Sequence, residues 1–274
     1  MRAVFEIAPS SLVPENSSLI CEVSDEGFSY GVKDETKNLF SGLGVYHFDK
    51  KKPAVGFPIA LQVLFHQKEI FSKPFNKVYV VYSYPQSVLI PFSMYNRDNN
   101  QTVMNMMFGD LNSNDILLTD IIANQSLYNC YRIPAATLEM VKNQFPNASI
   151  NHQYSLMLKK PVDTEQLSVI FYAQKVVVDL VKEEKHQLIN SFSYNSPKDI
   201  SYILLNICQQ LDIKKIRLKI SGLIEVNSAL YQEIYKYFDE IQLCGFREGC
   251  EYSEEIRSFP SHYFSYIFDV DSCE

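Results

Sequence analysis

One short segment of the chain combines residue types that could hold a cation and an anion together. Asp25-Glu26-Gly27-Phe28-Ser29 supplies a carboxylate, a glycine and a hydroxyl. A carboxylate can coordinate a hydrated divalent cation, and a glycine lets a ligand approach the backbone closely. Aspartate and glycine are also the residues that a tight hairpin turn favours. The segment is therefore interpreted first as a plain turn, with ligand binding as the alternative.

The other polar residues form no recognisable catalytic group. The histidines lack the His-x₃-His spacing of a metal site and are scattered at His47, His66, His152, His186 and His262. Asp115 and Asp120 are interpreted as residues flanking a strand rather than as paired carboxylates. No glycine-rich nucleotide loop, Walker loop or Gly-x-Ser-x-Gly elbow occurs. The sequence predicts no nucleophile with an attendant base.

The composition is that of an acidic globular chain. Its 274 residues allow one or two domains, and 46% of them are hydrophobic. The formal net charge of −7 disfavours non-specific binding to nucleic acid, which needs a surplus of lysine and arginine on at least one face. The basic clusters Lys50-Lys51-Lys52 and Lys214-Lys215 are interpreted as solvated turns. We therefore expect no nucleic-acid partner.

Neither a membrane-spanning nor a secretory segment is recognisable. The longest apolar stretch, residues 78–92, contains polar residues and is far short of about 20 residues. Glu6 and Pro9 interrupt the opening of the chain before a hydrophobic region develops. The six cysteines are interpreted as structural thiols, and only Cys244 and Cys250 form a pair that merits a redox test. The sequence predicts a cytoplasmic protein with no transmembrane segment.

The order of the predicted elements occurs twice. Ser18–Val32 and Gln166–Lys182 each predict two strands that meet at a tight turn, and a third strand, an amphipathic helix and a short strand follow. In the second copy, Ser196 is a candidate N-cap and Pro197 the first helical residue. Further strands are predicted over 115–123, 126–133, 149–158 and 241–246, and further helices within 91–108 and over 134–145 and 228–239. The second copy has the order β-β-β-α-β-α-β of the ribonuclease-H-like fold.

Four regions follow from this order. We expect a flexible leader over residues 1–17. A first ribonuclease-H-like lobe with an inserted α+β segment spans 18–162, and a second lobe spans 163–246. A C-terminal tail, 247–274, is expected to pack on the body. Lys159-Lys160-Pro161-Val162-Asp163 is the best candidate for the junction of the lobes.

Two such lobes facing across a cleft are the plan of the actin-like ATPase superfamily, which includes sugar kinases, Hsp70-type chaperones and actin. The chain also resembles a bacterial family, domain of unknown function 3822, over residues 19–32 (LICEVSDEGFSYGV), 131–158 and 167–211. The resemblance covers most of the chain. It implies an α/β actin-like ATPase fold of two duplicated halves and supplies no established activity.

The resemblance also implies where a nucleotide would bind. In active members of the superfamily, ATP phosphates lie between two turns, one from each lobe, and each turn is acidic and glycine-rich. Backbone N–H groups approach the phosphates and a carboxylate holds hydrated Mg²⁺. The first turn matches in part through Asp25, Gly27 and Ser29, but bulky Phe28 stands where a small polar residue is expected.

The remaining parts of that site are poorly matched. The second turn, Tyr172-Ala173-Gln174-Lys175-Val176, has no Asp, Gly or Thr, and Lys175 offers an anion only a point charge. A glycine pair that packs on adenosine in active members is reduced here to Gly222, which also fits a strand-exit turn. We therefore expect no cofactor and a non-catalytic binding or scaffold component with a protein partner.

Two alternatives remain open. In a divergent ATPase or small-molecule kinase, Asp25 would position Mg²⁺, Gly27 and Ser29 would contact phosphate, and Gly222 would pack on the base of Mg-ATP. A ribonuclease-H-like nuclease would need clustered carboxylates on its central strands, where the second half offers only Asp179. The nuclease is therefore the weakest of the three hypotheses.

Overall fold

The structure of the protein, a computed structural model, describes residues 1–9, 11–49, 56–112, 114–161 and 164–270. These residues divide into two units: unit 1 comprises the described residues within 1–160 and 249–256 together with residue 270, and unit 2 comprises those within 161–248 and 257–269. Lys50-Lys51-Lys52 and the last two residues of the predicted junction, Val162 and Asp163, lie outside the described residues.

Strands and helices alternate along much of the chain. The strands are β1 (Arg2–Ile7), β2 (Ser17–Ser24), β3 (Gly27–Asp34), β4 (Leu39–His47), β5 (Lys77–Ser83), β6 (Ser87–Pro91), β7 (Asp115–Ile122), β8 (Leu127–Pro134), β9 (Ser149–His152), β10 (Gln166–Phe171), β11 (Lys175–Lys182), β12 (Lys185–Ser193), β13 (Arg217–Gly222), β14 (Ile241–Leu243) and β15 (Glu251–Tyr252). The α-helices are α1 (Phe57–Gln67), α2 (Asn100–Phe108), α3 (Ala135–Gln144), α4 (Gln153–Lys159), α5 (Pro197–Gln210), α6 (Ala229–Tyr235), α7 (Glu254–Arg257) and α8 (Ser265–Phe268). Among the described residues, no helix combines the length and the apolar character needed to cross a membrane.

The main sheet of unit 1 has the strand order β1-β4-β3-β2-β5-β9, and β15 also pairs with β4. In its interior, β2 is antiparallel to β3 and parallel to β5, and every residue of β2 is buried. A strand buried in this way needs cover on its faces. On one face, Leu61 and Phe65 of α1 and Val141 of α3 join a core cluster with Leu19 and Phe28.

The opening of the chain is a strand and not the predicted flexible leader. β1 pairs antiparallel with β4, from Arg2 opposite His47 to Ile7 opposite Leu43. This pairing satisfies backbone groups that β4 would otherwise expose along its edge. The prediction of a leader over 1–17 is therefore wrong for residues 2–7.

The predicted strand over residues 149–158 is also wrong beyond its fourth residue. β9 ends at His152, and helix α4 begins directly after it. The His152 ring caps this helix, because its Nδ1 accepts a hydrogen bond from the backbone N–H of Tyr154 at 3.2 Å. A histidine cap is not among the usual N-cap residues, so the sequence pattern did not indicate the start of the helix.

The inserted segment of unit 1 is a second sheet with one helix packed on it. Its strand order is β6-β8-β7, and all its pairs are antiparallel. Met104 of α2 packs in a cluster with Ile90 of β6 and Cys130 of β8. The predicted α+β character of this segment is therefore what the structure has.

Unit 2 contains a sheet with the order β12-β11-β10-β13-β14. As with β2 in unit 1, β10 is antiparallel to its hairpin partner β11 and parallel to β13, the strand that follows α5. Ile200 and Leu204 of α5 pack against Val169 and Val178 of this sheet. Ser196 is the N-cap of α5 and Pro197 its first residue, as predicted.

The start of α5 predicts a pH-dependent contribution to stability. The Asp199 carboxylate accepts hydrogen bonds from the backbone N–H groups of Asn195 (2.8 Å) and Ser196 (2.9 Å), and these bonds lower its pKa. Since the folded-state pKa is depressed, the stabilisation is complete above the unfolded pKa of about 3.9 and is lost as the pH falls through the folded value. We expect Asp199→Asn to lower the free energy of unfolding at about pH 6 and to have a smaller effect at about pH 3.

Urea unfolding at both pH values checks this expectation. Ser228→Ala is the matched control, because it removes the uncharged N-cap of α6, whose first turn has no acidic residue; it should cost about 1 kcal/mol at either pH. An Asp199→Asn effect that stays constant between the two pH values would contradict the argument.

Candidate functional site

The first predicted turn joins β2 to β3, and the backbone groups of Glu26 in this turn are hydrogen-bonded within unit 1. Ser24 pairs with Gly27 in the hairpin, so Asp25 and Glu26 form the turn itself. The backbone N–H of Glu26 donates to the Ser24 hydroxyl at 3.2 Å, and its carbonyl accepts from the N–H of Phe48 at 2.8 Å. Both backbone groups of Glu26 are therefore used in hydrogen bonds, one within the hairpin and one to the residue that follows β4.

Gly27 and Ser29 are positions within the sheet. A Cβ at Gly27 would lie 2.0 Å from the carbonyl oxygen of Tyr46, so only glycine fits against β4 there. Ser29 is a buried residue in the middle of β3, with Glu22 and Val45 as its neighbours on the adjoining strands. Strand packing therefore accounts for the glycine, and Ser29 is not at the turn.

A cavity of about 210 Å³ lies in unit 1 beside this turn. It is lined by Asp25 of the turn, by Tyr84 and Gln86 after β5, and by Asp115 and Arg132 of the inserted sheet. Burial raises the pKa of the Tyr84 phenol, and the charges of Asp25 and Asp115 raise it further. The structure thus brings together two carboxylates that the sequence analysis did not connect. The volume is below the roughly 300–1,000 Å³ of typical small-molecule sites.

Arg132 supplies the buried positive charge of the cavity and is only 3% exposed. Its Nη1 donates to the carbonyl of Gly109 at 2.9 Å, and its Nη2 donates to Oδ1 of Asn105 at 2.5 Å. Its Nε is buried with no hydrogen-bond acceptor among the described residues. The end of α2 therefore positions this guanidinium. Sequence analysis did not select Arg132 as a candidate site residue. Its position as a charged residue among the apolar residues of 130–133 could have indicated it.

Asp120 lies within β7 and does not flank it, so the prediction is wrong for this residue; Asp115 is the first residue of the strand. The two residues are five apart on β7, so their side chains point to opposite faces of the strand. The Asp120 carboxylate accepts from the Tyr131 hydroxyl at 3.2 Å and from the N–H of His152 at 2.6 Å. Burial raises the pKa of Asp120, and these hydrogen bonds oppose the shift. Asp120 is a structural acceptor that ties β7 to the start of α4.

The second predicted turn, between β10 and β11 in unit 2, is also closed by its own hydrogen bonds. The N–H of Tyr172 donates to the carbonyl of Lys175 at 2.8 Å, and the N–H of Tyr194 donates to the carbonyl of Gln174 at 3.0 Å. The Tyr194 hydroxyl donates to the carbonyl of Tyr172 at 2.7 Å. Lys175 is buried, with its ammonium 4.8 Å from the centroid of the Tyr172 ring. Lys175 is therefore part of the packing of the turn and not an exposed point charge.

Gly222, the fourth candidate residue, ends β13 in unit 2. Its φ is +87°, and a Cβ there would lie 2.2 Å from the carbonyl oxygen of Phe171. The N–H of Leu223 donates to that same oxygen at 2.9 Å. The strand-exit turn by itself thus requires glycine at this position.

Three histidines are held by structural hydrogen bonds. A ring nitrogen of His152 lies 2.9 Å from the carbonyl of Tyr84, and one of His262 lies 2.8 Å from the carbonyl of Ile224. His186 Nδ1 lies 2.8 Å from Oδ1 of Asp179, a buried pair in unit 2. Within the described ranges, His, Cys, Asp and Glu side chains form no group of three that could hold a metal ion.

The chain is similar to solved structures, one of which is described as having an actin-like ATPase fold. A Bacteroides thetaiotaomicron protein with that fold and unknown function matches with a TM-score of 0.72 and 16% identity, over 85% of this chain and 94% of the other. A chain of the PilM-PilN type IV pilus biogenesis complex matches with a TM-score of 0.55 and 11% identity, over 92% and 97%. The ethanolamine utilization protein EutJ from Carboxydothermus hydrogenoformans matches with a TM-score of 0.50 and 8% identity, over 96% and 91%. The protein has this fold. Sequence identities this low do not establish that it shares an activity with any of these proteins.

The sequence profile of the family "Protein of unknown function (DUF3822)" matches residues 10–241. The chain belongs to this family. No curated protein shows significant sequence similarity to the chain. The family and the fold that the sequence predicts are therefore confirmed.

The close contact of Gly27 with β4 allows a test of whether strand packing explains the glycine at this position. We expect Gly27→Ala to destabilise the protein by about 1–3 kcal/mol, because the added methyl would overlap a backbone carbonyl that cannot rotate away. Gly245→Ala is the control, since an added Cβ there meets nothing within 4 Å. Denaturant unfolding of both variants measures the difference. Equal stability of Gly27→Ala and the wild type would show that strand packing does not explain the glycine.

Proposed function

We propose that this protein is a non-catalytic binding or scaffold component whose nucleotide site has degenerated. The observation that carries the proposal is the bonding of the two hairpin turns. In active members of the superfamily these turns present backbone N–H groups to phosphate. Here the N–H of Glu26 is bonded to Ser24, and the N–H of Tyr172 is bonded to Lys175. Phosphate could approach these two N–H groups only by breaking hydrogen bonds that stabilise the hairpins.

The donor chemistry of the two turns supports the same conclusion. The second turn has no carboxylate or hydroxyl side chain at its tip, Ala173-Gln174, that could hold hydrated Mg²⁺. Gly27 and Gly222 are both required by close backbone contacts, so their presence does not indicate a ligand. The residues present therefore do not fit the Mg-ATP that the fold family implies.

The proposed partner is another protein. A chain of the PilM-PilN complex has the same fold, which supports a role for this architecture in assemblies. The net charge of −7 disfavours nucleic acid as the partner. The proposed location of the protein is the cytoplasm.

One observation favours a second candidate function, a divergent ATPase or small-molecule kinase. Asp25 and Asp115 line one cavity, and two carboxylates could share a hydrated Mg²⁺. Arg132 in the same wall would favour an anionic ligand. The small volume of the cavity and the bonding of both turns make this the weaker candidate.

Thermal unfolding with and without millimolar Mg-ATP or Mg-ADP tests the proposal. We expect no change in Tm with either nucleotide. A ligand at about 100 times its Kd would add about 2.7 kcal/mol, which is a shift of several degrees for a chain of this size. Asp25→Asn, whose side chain cannot hold Mg²⁺ as a carboxylate does, is the matched variant. A nucleotide shift in the wild type that disappears in Asp25→Asn would overturn the proposal in favour of the ATPase.

A further inference from the structure

The cavity of about 210 Å³ in unit 1 is lined by opposite charges that do not pair with each other. Its charged lining residues are Asp25, Asp115 and Arg132, and the polar residues Tyr84 and Gln86 lie beside them. We call this space the charged cavity. Asp115 and Arg132 both belong to the described part of the chain and form no ion pair with each other.

Asp115 and Arg132 are diagonal neighbours on the inserted sheet. In the β7–β8 ladder, Arg132 is opposite Leu117 and Pro134 is opposite Asp115. Because residues two apart on a strand point to the same side, Asp115 and Arg132 project from one face of the ladder. Diagonal neighbours of this kind lie about 7–8 Å apart. One small molecule in the cavity could therefore contact both charges.

The hydrogen bonds of Arg132 go to the end of α2 instead of to Asp115. The acceptors are the carbonyl of Gly109 and the side-chain amide of Asn105, and both are neutral. Arg132 is only 3% exposed, and among the described residues it has no carboxylate partner. A buried charge is normally paired. The Arg132 Nε also lacks an acceptor among these residues, so the guanidinium retains donor capacity for an anionic group.

The volume of the charged cavity limits its ligand to a small molecule. At about 30 Å³ for each water, it has space for roughly seven waters. This is below the roughly 300–1,000 Å³ of sites for larger ligands. Pro85 and Pro134 add apolar surface without backbone N–H groups. The lining therefore suits a small molecule that has both charges and a short apolar part.

We propose that the charged cavity binds a small zwitterion, a free α-amino acid. The carboxylate of the ligand bonds to Arg132 and its ammonium bonds to Asp115, as charge-assisted hydrogen bonds. Its short side chain lies beside Pro85 and Pro134. This inference goes beyond the binding role proposed above, because it adds a small-molecule ligand to a protein whose proposed partner is another protein.

The charges of the cavity argue against a simple anion or a simple cation as the ligand. An anion on Arg132 would also meet the carboxylates of Asp25 and Asp115, and like charges oppose binding. A cation on the carboxylates would meet the guanidinium in the same way. A zwitterion places each of its charges beside the opposite charge of the wall.

Isothermal titration of the full chain with glycine, L-alanine and L-valine tests the proposal. We expect at least one of the three to bind. For the tightest of them, two analogues each lack one charge: the amide has no carboxylate, and the corresponding desamino acid has no ammonium. Each analogue should have a Kd at least about tenfold higher, because one charge-assisted hydrogen bond is lost.

Two variants test the two ends of the site. Asp115→Asn should raise the Kd of the amino acid about tenfold or more. Asp115 is partly exposed at the first position of β7, so this variant should fold, which its thermal melt checks. Arg132→Gln should also weaken binding, and Asp115→Asn carries the test if loss of the Arg132 hydrogen bonds prevents folding. Asp98→Asn is the control, since it removes an exposed carboxylate of the inserted segment that does not line the cavity.

Three results would overturn the proposal. These are no binding of any of the three amino acids, an analogue that binds as tightly as the amino acid, and an Asp115→Asn variant that binds as tightly as Asp98→Asn. The titrations contain no nucleotide, so their failure leaves the binding role proposed above unaffected. A nucleotide shift that depends on Asp25 overturns that role and leaves the amino-acid result to be judged by itself.

Discussion

The parallel pairing of β2 with β5 in unit 1, and of β10 with β13 in unit 2, is the constraint on which both sheets depend. Parallel neighbours cannot be joined by a tight turn, so the chain must cross over the sheet between them. In each unit a helix, α1 or α5, is part of that crossover and covers the sheet with its apolar side. The hairpin β2–β3 or β10–β11 then extends the sheet on the other side of the first strand. The positions of both hairpin turns follow from this arrangement.

The bonding of those turns connects the fold to the proposed function. A turn can present its N–H groups to a ligand, or it can use them to hold its own strands. In this chain Ser24 and Lys175 accept these hydrogen bonds, and Tyr46 and Phe171 pack too closely to the two glycines for any side chain to fit. The packing of the two sheets therefore accounts for these hydrogen bonds and for both glycines.

The inserted segment is under different constraints. One face of its sheet packs beneath α2 around Met104 and Cys130, and on the other face Tyr131 and Ile133 of β8 join the main core of unit 1. The inserted sheet is therefore fixed on both faces, by α2 on one side and by the core of unit 1 on the other.

Local patterns in the sequence determined most of the secondary structure, because hydrophobic period, turn residues and caps such as Ser196 act over a few residues. The tertiary structure determined those elements whose formation depends on residues far away in the sequence. β1 is a strand because the edge of β4 is available to it, and α4 begins at His152 because its ring can cap the helix. The cavity that joins Asp25, Asp115 and Arg132 could not be read from the sequence, since three separate elements must fold before those side chains meet.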